Sequence, residues 1–201
     1  MIQAISIFEK ILSETVTCNV LYQYLRDVVK PPYDYSDLLR WQWAQSVSAL
    51  DKLVHDLVRK GMLEIIEGRR IATAKFNTFT IQIDSTLHII SNPTQITSIV
   101  EKLIYQKHGF LSFQDPDKIS DALSHIWNET NKWNRIAAEL GKPENDVKTT
   151  LKNISIRRNQ IVHEGDYSNA LLGRQPIIDT DTQEVVKFIG DLGHAIYALV
   201  K

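Results

Sequence analysis

The sequence predicts an all-α fold, about five to seven one-sided helices packed as a bundle in a single domain over residues 1–201. Three observations carry that expectation. Apolar residues recur three and four apart along most of the chain. The periodic segments are separated by helix stops at Pro31-Pro32, Gly61, Gly141-Lys142-Pro143 and Gly165. Strict strand-like alternation occurs in one short stretch, Phe79 to Asp84.

The first segment, Ile5 to Val29, places Ile5, Phe8, Leu12, Val16, Leu21, Leu25 and Val28 at helical spacing. Thr15-Val16-Thr17-Cys18 is a weak helix former, so a break between two helices fits there as well. The second helix is expected from Ser36, a suitable N-cap, to Lys60, with Val47, Leu50, Val54 and Leu57 inward and Gly61 as its end. Residues 64–93 read as an irregular or β-like insertion, in which 79–84 suits a short strand or an ordered loop. Helices follow from Thr94 to Lys107, from Asp115-Pro116 through Trp127, from Trp133 to Leu140 and from Glu144 to His163. Ala170 to Pro176 reads as loop. A last helix runs from Thr182 to Val200, where Gly190 and Gly193 allow another helix to come close.

Composition narrows the function classes. No apolar run is long enough to span a membrane, and no leader-like segment opens the chain, so no membrane partner is expected. The single cysteine, Cys18, excludes an intrachain disulfide and accords with a cytoplasmic setting. No glycine-rich phosphate loop is present, which argues against an ATPase or kinase. His55, His88, His108, His125 and His194 lack the spacing of a metal site, so no metal or other cofactor is expected. The tryptophans read as packing anchors. The net charge of −1 does not mark a nonspecific nucleic-acid binder. Locally, however, Lys132 to Arg158 holds seven basic residues against three acidic ones, a surface able to meet phosphates.

The chemistry-bearing stretch is Arg157-Arg158-Asn159-Gln160-Ile161-Val162-His163-Glu164-Gly165-Asp166. Arg158 falls on the stripe of Leu151, Ile154 and Ile161, where an apolar residue is expected. A guanidinium there must be paired or open onto a polar cleft. Asn159 and His163 are four apart and share a neighbouring face. Arg158 and His163 are five apart, about 140° around the axis, too far round for one helix to close on one small group. Two copies of the helix facing each other remove that obstacle. The residue types suit phosphodiester chemistry: imidazole moves protons near neutral pH, and guanidinium holds a phosphate as charge builds. With RNA, the 2′-hydroxyl supplies the nucleophile and no metal is required. A favourable end of a helix, with Arg and His meeting its negative pole, is the plainer explanation of the same residues.

The longer string resembles the signature of HEPN domains: Arg, a polar residue, then His after four to six intervening positions. Ala49 to Glu64, Phe113 to Ile119 and Trp133 to Leu140 are similar to one subgroup, the RiboL-PSP-HEPN-like domains, so the likeness is best supported over residues 38–166. The resemblance implies an α-helical bundle with extra helices that forms a homodimer. It also implies a metal-independent endoribonuclease cutting an RNA substrate, as a toxin or antiviral defence effector with an antitoxin or regulatory protein as partner. Arg158 then stabilises the phosphate, His163 acts as general acid or base, and Asn159 supports them. Arg157, placed off the buried stripe, is the second choice for the arginine and is expected on the RNA backbone together with Lys152 and Lys148. Asp51, on the face of Val47, Val54 and Val58, either pairs with Arg158 or is a surface acid satisfied by Lys52 or His55. Two other readings stay open. Residues 135–157 have the spacing of a DNA-binding helix-turn-helix, and the family contains noncatalytic RNA- or protein-binding members.

Overall fold

A computed structural model describes residues 1–168 and 173–201. Its elements are α1 (Ile2–Tyr24), α2 (Asp37–Ile66), α3 (Ala74–Asn77), α4 (Ile83–Ser91), α5 (Ile96–His108), α6 (Pro116–Leu123), α7 (Lys132–Glu139), α8 (Glu144–Glu164), β1 (Tyr167–Ser168), β2 (Gly173–Arg174) and α9 (Asp179–Val200). The all-α expectation holds, with one antiparallel pair of two-residue strands as the one β feature among the described residues. None of the described helices is long and apolar enough to cross a membrane.

The bundle is organised around α2. Val47, Leu50, Leu53, Val54, Leu57, Val58 and Met62 are all buried, because this helix is covered by α1, α5, α6, α8 and α9. Each such side chain contributes roughly 1.5–3 kcal/mol by leaving water. The helix does not stop at Gly61. It runs on to Ile66, and Gly61 is the point where α2 and the segment after α6 cross: a Cβ there would lie 2.6 Å from Ile126 Cγ2. Gly193 does the same for α1 and α9, where a Cβ would run into the Phe8 ring.

Three sequence expectations change. α1 is unbroken through Thr15-Cys18, because the Thr15 hydroxyl satisfies itself on the Leu12 carbonyl at 2.6 Å inside the helix. It then widens into a π turn over Leu25–Val29, which Lys30 closes in the left-handed region before Pro31. The β-like reading of 79–84 is overturned. Residues 79–82 pair with no strand among the described residues, and Ile83 opens α4, with Asp84 in its first turn and Gln82 as extended N-cap. The alternation reflects Phe79 packing against the core and Ile81 being half-buried, whereas Ile83 is exposed. Of the expected loop at 170–176, residues 170–172 lie outside the described residues, and Gly173–Arg174 pair with Tyr167–Ser168.

Candidate functional site

The helix α8 ends as its sequence requires: Gly165 takes φ +61, and the following Asp166 N–H donates to the Gln160 carbonyl at 2.9 Å. Asp166 is itself left-handed at φ +66 and wholly buried. A non-glycine residue in that region is held there by its surroundings. Its Oδ2 accepts from Arg40 Nε at 2.7 Å and from Arg157 Nη2 at 2.9 Å. Arg40 also donates to the Gln175 carbonyl, Arg157 to the Pro176 carbonyl, and Gln175 Nε2 to Gln160 Oε1. The C-terminal end of α8 is thereby fastened to the first turn of α2.

This clamp corrects the reading of Arg157. The sequence places it on the solvent side, addressing RNA backbone. The structure turns it inward, onto Asp166 and the 175–176 backbone, because the turn after Gly165 brings a buried carboxylate back beneath it. Arg158 is the uncommitted guanidinium. It is half-buried, forms no ion pair among the described residues, donates from Nη1 to Asn159 Oδ1 at 3.2 Å, and leaves its buried Nε without a partner. Leu151 and Ile154 occupy the buried stripe as expected, with Ser155 beside them, and Arg158 continues it outward.

Asp51 does not reach Arg158. Its Oδ1 accepts the Phe113 backbone N–H and stands 4.0 Å from His55 Nε2. The pairing with Arg158 is therefore replaced by a cap on the loop before α6, a role that a carboxylate on α2 takes because an otherwise unpaired amide faces it. Asn159 and His163 are exposed on the outer face of α8, in line with exposed Lys152 and Ile156. Lys148 lies 3.7 Å from Glu144. Ile156 and Val162, 49% and 48% exposed, give that face an apolar component next to its polar groups.

The larger cleft beside α8, about 560 Å³ between it and α9, is lined by Asp181, Glu184 and Asp191 as well as Arg157. Lys142 and Lys187 also line it, so its cations and carboxylates balance and it offers a phosphate no net attraction. Among the described residues no three His, Cys, Asp or Glu side chains converge as a metal site. Sequence reasoning missed Arg40 and Asp166. The signal for Arg40 was present: it continues the stripe of Trp43, Val47, Leu50 and Val54, where a cation demands a buried partner.

No curated protein and no solved structure matches the chain. The family model described as RiboL-PSP-HEPN matches residues 7–201, nearly the whole length. With the helical bundle and the Arg-Asn…His helix already in place, this chain belongs to the RiboL-PSP-HEPN family of the HEPN superfamily.

Proposed function

We propose that the protein is a metal-independent endoribonuclease that works as a homodimer, in the role of a toxin or antiviral defence effector in the cytoplasm. The observation that carries this reading is the division of labour between adjacent arginines: Arg157 is spent on Asp166, whereas Arg158 keeps a buried Nε unpartnered, five residues before an exposed His163. Ile156 and Val162 supply apolar surface for a second copy of α8. In the paired groove His163 removes the 2′-hydroxyl proton or donates one to the leaving 5′-oxygen. The 2′-oxygen bonds to phosphorus, the P–O5′ bond breaks, and a 2′,3′-cyclic phosphate and a 5′-hydroxyl result. Arg158 holds the charge that builds on the phosphoryl oxygens, and Asn159 orients it. Lys152 and Lys148 are suited to neighbouring phosphates.

The test is cleavage of RNA in the presence of EDTA with the product ends identified. Cyclic phosphate ends from wild type, and at least a 100-fold loss in His163→Ala and Arg158→Ala, support the reading. Wild type that binds RNA without cutting it, and binds more weakly as Arg158→Ala, indicates the noncatalytic module instead. The helix-turn-helix reading has α7, the left-handed Gly141 and α8 in its favour. Against it, Glu144 and Asp146 occupy the first turn of α8, the part that such proteins turn toward the bases.

A further inference from the structure

On the far side of the 113–114 segment from α8 lies a separate pocket of about 310 Å³ between α2 and α5. Asp51, His55, Asp56, Arg59, Tyr105 and His108 line it. Most of its charge is already spent: Asp56 accepts from Lys52 and Arg59 at 2.9 Å each, and Arg59 also donates to Glu101 at 3.1 Å. What remains is specific. Asp51 uses Oδ1 for the Phe113 amide, leaving Oδ2 without a protein donor among the described residues. His108 is 92% buried yet makes no side-chain hydrogen bond among them, and burial beside His125 keeps it neutral. At the rim Tyr105 is 70% exposed, and Phe110, next to the lining Gly109, is 93% exposed.

An open carboxylate oxygen, a neutral buried imidazole and exposed rings do not suit a phosphate. They suit a flat, uncharged group that carries N–H donors and stacks. The pocket is also wired to the proposed cutting helix. Phe113 N–H donates to Asp51, and the adjoining Gln114 carbonyl accepts from Ser155 Oγ at 2.7 Å. Ser155 lies one turn before Arg158, about 5 Å along α8.

We propose that this pocket binds one base of the RNA, near the phosphate held by Arg158, and favours guanine. Guanine alone among the four bases presents two adjacent N–H donors on its pairing edge, one for the open Asp51 Oδ2 and one for the second lone pair of Oδ1 beside the Phe113 amide, and its ring stacks on Tyr105. The inference rests on RNA being the substrate, but it does not need cleavage.

The experiment uses the full chain as His163→Ala, titrated with uridine decamers that carry a single central guanine, adenine, cytosine or uridine. The guanine decamer is expected to bind about tenfold more tightly than the all-uridine one. Asp51→Asn, which keeps an oxygen for the Phe113 amide, is expected to erase that difference, and Tyr105→Ala, which removes the stacking ring, to weaken all four decamers and the guanine one most. Equal affinity for the four decamers, or a guanine preference that survives Asp51→Asn, overturns the proposal. Guanine-selective binding with no cleavage by wild type keeps the pocket and removes the nuclease. Cleavage by wild type without base preference keeps the nuclease and removes the pocket.

Discussion

Arg157 and Arg158 are neighbours with opposite fates, and substitution separates them. Arg158→Ala removes a guanidinium without an ion-pair partner, so the melting temperature is expected to stay within about 2 °C of wild type while RNA cleavage falls at least 100-fold. Arg157→Ala leaves Asp166, wholly buried, with Arg40 as its remaining cation and is expected to cost about 2–4 kcal/mol in chemical denaturation. If both variants unfold alike, the assignment of the free arginine fails. The sequence indicated that a cation on the buried stripe needs an explanation. It did not indicate which of two adjacent cations a carboxylate eight or nine residues on would capture, since that depends on the turn made by Gly165 and Asp166.

At the scale of elements, helices were legible because their apolar spacing matches the core they face, and the stops at Pro31-Pro32, Gly141 and Gly165 fall where the chain turns. Gly61 misled because glycine serves two ends: it closes helices, and it lets backbones approach. The second use applies here, so Gly61→Ala is expected to destabilise the protein by about 1–3 kcal/mol through the clash with Ile126. A gain in thermal stability, the ordinary result of placing alanine in a helix, would contradict the crossing. The 79–84 segment misled for a different reason. Alternation records which side chains touch the body, and a strand also needs a partner. The pairing of Tyr167–Ser168 with Gly173–Arg174 involves too few residues for any periodic signal.

For the molecule as a whole, the family and the bundle were readable because a motif and three flanking stretches occur in order, whereas the proposed base pocket was not, since its lining comes from two helices, α2 and α5, whose packing against each other no local spacing records. Burial, with help from His125, His55 and Lys107, pushes His108 down from 6.5 to about 4. Between those values the unfolded chain binds a proton that the folded chain refuses, so stability is full above pH 6.5 and declines as the pH falls toward 4. The loss is expected to be roughly 2–3 kcal/mol and to shrink in His108→Phe, as read by urea denaturation at pH 7 and 4.5. An unchanged pH slope in that variant would remove His108 as the source.

The central claim is that Arg158 and His163, about 140° apart on one helix, act only across a pair of helices. Mixing inactive Arg158→Ala with inactive His163→Ala, under conditions in which subunits exchange, tests it directly. A twofold-symmetric dimer that draws each pair from opposite subunits rebuilds one intact site in every mixed dimer, so about a quarter of wild-type cleavage is expected to return. A mixture that demonstrably contains mixed dimers and stays inactive, while wild type cuts, would contradict the shared groove.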